Sequence, residues 1–545
     1  MVALLVALHA GLATWGAVRQ SVTFDENFHL PAGVMEVATR ELRISPVNPP
    51  LVKALAGAAA LAAGARVPPP SALGDREQGR VGEAFLHANA DRYHRVYVAG
   101  RLVVIGLSVL LALVVWRWAR RLWGVQGGLV ALAFYAFAPE ALAHAGVVTM
   151  DLPTALGFVF TLFAWQAFVR AGRWRAWWAT AGGLAFAFLV RFTAVFLPPL
   201  MLVLAAVELL ARRVRRPRRV ALGFVLLGLS TLLALQIGYL GRTSLAPLRA
   251  WPWPFASQTF RTLQARLPEL RLPLPYTYIM GFDRQAVESQ TGRTPSYLLG
   301  RIHPTAPLSY FPIALAVKWP LGFLAALAML AVYAVARRPR LRRLAWPLSL
   351  VVLFLGVAMF VGRLGIGIRY LFPLVPALAV ALGALASSRA GDAVHWRRVV
   401  VGLACLQALE AAVNAPWHLS FYNALAGGPG RGQWIVNDSN VDWGQGLIAL
   451  RDELRRRGIG RVHLLYHGTT DPAVYGIDYV PYLGGMPGTE SDWLAVSSFY
   501  FVGLSQRVRT HEGLTEQPMM IDCRPLWHRI PDATPAGCML LFRLR

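Results

Sequence analysis

Cysteine is nearly missing from this chain, with three residues, Cys405, Cys523 and Cys538, in 545. So few thiols exclude a disulfide-stapled framework, and no Cys/His group has the spacing of a zinc site. Cys405 lies in an apolar run, whereas Cys523 and Cys538 share the C-terminal segment and are candidates to pair. Acids are scarce too, 28 against 54 Lys and Arg, and charged residues make up only 15% of the chain. With 56% hydrophobic residues and a mean hydropathy of +0.46, there is too little polar surface for a water-soluble globule of this size. Internal repeats and low-complexity tracts are absent, which excludes solenoids and linker-rich architectures.

What the chain has in quantity is apolar sequence punctuated by arginine. A net charge of +26 would suggest nucleic acid in a soluble protein. Here the arginines fall in clusters beside apolar runs: Arg117/Arg120/Arg121, Arg170/Arg173/Arg175, the stretches 212–219 and 337–343, and Arg389 with Arg397/Arg398. That is the positive-inside pattern, and attraction to anionic headgroups acts in the same direction. Membrane lipids are the expected partner, and nucleic acid is not.

Residues 1–20 are apolar but lack a basic leader and a small-residue cleavage site, so they read as an anchor helix. Further spans are expected at 96–116, 122–141, 152–169, 176–190, 194–211, 220–240, 308–335, 344–361, 368–386 and 399–413, about eleven transmembrane helices in all. Counted from a cytoplasmic start, every arginine cluster lands inside. Two long polar loops, 21–95 and 241–305, land outside, the first with one or two interfacial helices. The fold class is thus a multispan α-helical membrane protein, with a membrane body at 1–413. Residues 414–545 form a small soluble extracytoplasmic α/β domain, with strand-like runs at 462–466, 494–502 and 539–544 and an amphipathic helix near 446–457. The inner (plasma) membrane is the expected location.

The ionisable residues at the outer boundary are the candidates for chemistry. Asp25 and Glu26 stand at the mouth of the first span, with His29 close by. Such acids are cheap to solvate as plain surface charge, but a carboxylate fixed there also suits a base for an acceptor hydroxyl. Asp151 opens another span, where it could also cap free backbone N–H groups; His144 precedes it. Arg191, Lys318, Arg363 and Arg369 lie at outer helix ends against the positive-inside trend. They either snorkel to headgroups or face a cavity, where a lipid-linked phosphate would suit them. The run 437–445, with Asp438, Asn440, Asp442 and Trp443, has the composition of a sugar contact and equally of a capped turn.

Taken in order, Asp25-Glu26, Asn48-Pro49-Pro50-Leu51, Met150-Asp151-Leu152-Pro153, Tyr310-Phe311-Pro312 with Lys318, and Arg369-Tyr370-Leu371 with Pro373 resemble the bacterial glycosyltransferase family 39 group. These are membrane GT-C enzymes related to protein O-mannosyltransferases and to the aminoarabinose transferase acting on lipid A. The run Asp438-Ser439-Asn440-Val441-Asp442-Trp443-Gly444-Gln445, followed by Tyr466-His467-Gly468, is similar to the periplasmic domain of many bacterial members.

The resemblance implies transfer of a sugar from a polyprenyl-phosphate donor to a protein, lipid or glycan acceptor at the outer membrane face. It implies Asp25, Glu26 and Asp151 as the catalytic acids; Lys318, Arg369 and Tyr370 fall in its motifs, and with the boundary cations Arg191 and Arg363 they are the candidate donor-phosphate contacts. His29, His144, Asp438, Asn440, Asp442 and Trp443 are left for the acceptor or for structure. The chain departs from many members in carrying Arg191 where they have lysine. A divalent metal held with the help of Asp151 stays open, as do a lipid-linked sugar carrier and a non-catalytic envelope scaffold.

Overall fold

The computed structural model describes residues 1–69, 78–241, 245–251, 255–291, 295–336, 341–361, 365–387 and 393–544. Among these, six helices are long and apolar enough to cross a membrane: Val2–Arg19, the helix that ends at Trp123, Asp151–Ala171, Phe192–Leu210, Pro217–Gly238 and Arg342–Phe360. Two further expected spans are broken. Val125–Ala136 and Pro139–Ala145 meet at 61°, and Tyr310–Lys318 and Leu321–Val335 at 116°. Each break falls at a proline, Pro139 or Pro320, whose missing N–H and ring end the preceding helix. The eleven expected crossings are therefore six to eight by length and composition. The other three segments are helical as Trp174–Val190, Leu374–Ala386 and Ala393–Val413, shorter or more charged than the rest.

The helices stop and start where local chemistry dictates. Asp151–Ala171 ends on Gly172 at φ 61°, a left-handed position that favours glycine, and Pro217 opens its helix where its missing N–H costs nothing. The first polar loop holds two close helices, Glu26–Thr39 and Leu51–Ala62. They touch backbone to backbone, because a Cβ added to Gly57 would lie 2.2 Å from the carbonyl carbon of Gly33.

Described arginines of these clusters gather at one end of the bundle. There Arg170 pairs with Glu208 at 2.7 Å, Arg343 donates to the Leu122 carbonyl at 3.1 Å and Arg219 to the Gly172 carbonyl at 3.2 Å. The helix Asp151–Ala171 begins with Asp151 and carries Arg170 in its last turn. At 1.5 Å rise per residue it places the two about 30 Å apart.

Residues beyond 446 build a four-stranded sheet in the order Tyr479–Pro481, Val462–Leu465, Trp493–Ser497, Met539–Arg543, with the last pairing antiparallel and the others parallel. The helix Leu447–Arg457 stands where an amphipathic helix was expected. The run 494–502 is strand only to Ser497, after which Ser498–Phe501 is a helical turn.

This segment is packed against the membrane body. The Phe24 N–H donates to the Trp443 carbonyl at 2.8 Å, Ser21 N–H to Gln445 at 3.1 Å, and Arg509 pairs with Glu83 at 2.7 Å. Cys523 and Cys538 do not pair. All three cysteines are free, and the two lie in separate apolar clusters.

Candidate active site

Asp25 sits just before the helix Glu26–Thr39, its backbone carbonyl accepting from His29 N–H at 3.1 Å and its carboxylate free of capping duty. The neighbouring Glu26 points the other way. It is sealed from solvent and accepts from Arg101 at 2.8 and 2.6 Å, from the Thr23 N–H at 3.0 Å and from the Val148 N–H at 2.9 Å. Burial pushes its carboxyl up, but Arg101 and those backbone donors outweigh it and hold Glu26 below the ordinary range. The remaining Arg101 donors go to the carbonyls of Ala17, Gln20 and Ser21 at 2.6, 2.8 and 2.9 Å. The buried Arg101–Glu26 pair thus ties the end of the first helix, through Arg101, to the loop that delivers Asp151, through Glu26.

The charged groups of the site form an alternating row. Arg369 donates to Asp25 at 2.6 Å and lies 3.9 Å from Asp151, and Asp151 in turn is paired with Arg191. The Tyr370 ring lies 5.3 Å from the Arg191 guanidinium and 5.2 Å from that of Arg369, and the Trp443 ring 4.2 Å from Arg369. Asp25 is the accessible carboxylate, with 26% of its side chain exposed against 3% for Asp151. The Nε of Arg369 is buried without a partner among the described residues.

This row faces a cavity of about 800 Å³. It is lined by the polar Asp25, His29, Asn48, Asp151, Arg191, Arg369 and Tyr370 and by the apolar Val195, Phe196, Phe311, Phe354, Val357 and Ala358, among others. His29 bonds the Val148 carbonyl through Nδ1 at 3.0 Å. Burial, the leading influence, keeps its imidazole below the usual value.

Other expected site residues lie elsewhere. Lys318 is off the cavity, its ammonium donating to the carbonyls of Leu419 at 3.0 Å and Asn440 at 2.5 Å. His144 is buried beside Glu140 at 4.0 Å and the rings of Phe372 and Trp443. Arg363 lies outside the described residues. Asp438, Asn440, Asp442 and Trp443 brace the site from behind without lining the cavity. Asn440 accepts from the Ile368 N–H at 3.1 Å and donates to the Tyr310 hydroxyl at 2.9 Å, fixing the segment that carries Arg369. Asp438 and Asp442 accept from the N–H groups of Ser439 and Gly444 at 2.6 and 3.1 Å, and burial pushes each carboxyl up to about 7.

The three carboxylates that line the cavity, Asp25, Asp151 and Glu288, each pair with a guanidinium group, and no cluster of three or more His, Cys, Asp or Glu placed to hold a metal is present among the described residues. Reading the sequence missed Arg101 as the anchor of the site. Its signal was that Arg101 is the one charged residue in the apolar stretch 96–116.

Residues 93–235 match the family described as dolichyl-phosphate-mannose-protein mannosyltransferase. No curated protein matches the chain. Among solved structures, ArnT from Cupriavidus metallidurans bound to undecaprenyl phosphate is similar at 17% identity and a TM-score of 0.47, over 84% of this chain and 73% of that one. The same protein in the apo state gives 16% and 0.43, over 84% and 72%. The Archaeoglobus fulgidus oligosaccharyltransferase in complex with Zn and sulfate gives 12% and 0.40, over 74% and 53%. The family match falls on the helices that bear Arg101, Asp151 and Arg191, so it is this part of the chain, residues 93–235, that is similar to dolichyl-phosphate-mannose-protein mannosyltransferases.

Proposed function

We propose that the chain transfers a sugar from a polyprenyl-phosphate carrier to a hydroxyl of a protein, lipid or glycan acceptor. The reaction takes place at the membrane face where Asp25 lies, the extracytoplasmic side of the inner membrane, with residues 414–545 on that same side. The observation that carries this reading is one cavity lined both by the guanidinium groups of Arg191 and Arg369 and by apolar side chains. A carrier lipid needs both, since its phosphate seeks arginine forks and its isoprenoid chain seeks hydrocarbon.

At rest Asp25 neutralises Arg369. An arriving phosphodiester draws on the same guanidinium, including its unpartnered Nε, and loosens the carboxylate. Asp25 then takes the proton of the acceptor hydroxyl as that oxygen bonds the anomeric carbon. The bond from this carbon to the carrier phosphate breaks, and its electron pair leaves on the phosphate oxygen, stabilised by Arg369 and Arg191. Attack opposite the leaving group inverts the anomeric centre. Asp151, nearly sealed and held by Arg191, keeps both arginines in place.

Asp25→Asn in the purified full-length protein, assayed with a labelled polyprenyl-phosphate sugar, tests the base. Transfer is expected to fall by about 10²–10⁴-fold. Undiminished transfer would overturn this role for Asp25.

A further inference from the structure

The arginine end of the bundle, opposite Asp25, encloses a second cavity of about 210 Å³, lined by Arg121, Leu122, Gln166, Arg170 and Arg343. Countercharge there is thin. Glu208 pairs with Arg170 at 2.7 Å, stands 4.0 Å from Arg213 and also accepts from Trp346 Nε1 at 2.8 Å. Among the described residues, no carboxylate pairs with Arg121 or Arg343. Arg343 donates to the Leu122 carbonyl at 3.1 Å, and Arg121 lies 5.9 Å from the Phe163 ring.

Gln166 gives the cavity its second distinctive feature. Its side chain is buried, and its Oε1 accepts from Trp118 Nε1 at 3.1 Å. Its Nε2 is left buried with no partner among the described residues. Guanidinium forks and a spare amide donor, with no acceptor left to offer, are complementary to an oxyanion with several acceptor oxygens.

We propose that this cavity binds a phosphate group. The same chemistry is offered by the headgroup of an anionic membrane lipid and by free phosphate. The site lies about 30 Å from the Asp25 cavity along the helix Asp151–Ala171, so its ligand is distinct from the sugar donor.

The test uses the full-length protein in neutral detergent. Thermal midpoints are measured with phosphatidylglycerol, phosphatidylcholine and inorganic phosphate, and retained lipid is counted by native mass spectrometry. Phosphatidylglycerol is expected to bind at least ~10-fold more tightly than phosphatidylcholine, and Arg343→Gln or Arg121→Gln to lower that affinity by about 10-fold. Gln166→Glu keeps an acceptor for Trp118 and supplies its own carboxylate, so it is expected to hold the midpoint while abolishing the preference. Protection by inorganic phosphate alone identifies a free anion as the ligand, and protection by phosphatidylglycerol alone identifies the lipid; either supports the site. A wild-type protein indifferent to both, or a Gln166→Glu protein that still prefers phosphatidylglycerol, overturns the proposal.

Discussion

The guanidinium of Arg369 lies 4.2 Å from the centroid of the Trp443 ring while donating to Asp25 at 2.6 Å. The indole, delivered from the C-terminal segment, supports a planar cation that must reach two carboxylates at once. Lysine would keep the charge but lose the fork and most of the ring contact. Arg369→Lys is therefore expected to cut transfer by roughly 10–100-fold with the protein still folded, and Trp443→Leu to give a smaller loss of about 10-fold. Steady-state assays with labelled donor check both, and a fully active Arg369→Lys enzyme would show that charge alone suffices.

The Arg101–Glu26 pair sits deeper, with both side chains 0% exposed. Removing one partner strands the other charge in the interior, at about 3–5 kcal/mol. Arg101→Met is expected to lower the thermal midpoint in detergent sharply and to abolish transfer. Replacing both residues with apolar side chains should recover part of the stability without the activity. If the double variant melts no higher than the single one, the penalty does not come from the stranded carboxylate.

Asp438 and Asp442 make stability depend on pH. Burial raises both carboxyls from 3.8 to about 7 in the folded protein. Between those values the folded state holds more protons than the unfolded one, so their contribution is full below pH 4 and is lost as pH rises through 7. Asp442→Asn keeps an acceptor for the Gly444 N–H and removes the ionisation. The variant is expected to match wild type near pH 4 and to melt higher at pH 8. Melting curves at the two pH values measure this, and an unchanged slope would mean that Asp442 ionises freely in the fold.

Much of this was legible in the sequence because hydrophobicity and charge placement are local signals. Apolar runs predicted where helices form, and arginine placement predicted that Asp25 and Asp151 share one end of the bundle. Both acids line the same cavity, with Arg191 and Arg369 beside them. The broken spans have a sequence signal too, Pro139 and Pro320 within long apolar runs, but a proline in such a run can kink a crossing helix as well as end it. What could not be read was which of two adjacent acids faces the cavity. Asp25 and Glu26 are alike in sequence, and only the tertiary position of Arg101 turns Glu26 inward. The same holds for Lys318, whose carbonyl partners come from about one hundred residues further along.

The Arg369–Asp25 pair joins residues 344 positions apart, which sets a schedule for the protein's maturation. At about 5–20 residues per second of synthesis, Asp25 waits roughly 17–70 s for its partner to be made, and longer for Trp443. During that interval the first loop carries an uncompensated carboxylate, and the helices already inserted have no working centre. On the proposed function the centre is complete only after the last quarter of the polypeptide, which supplies Trp443, has docked, so a chain terminated before Arg369 is expected to be inactive.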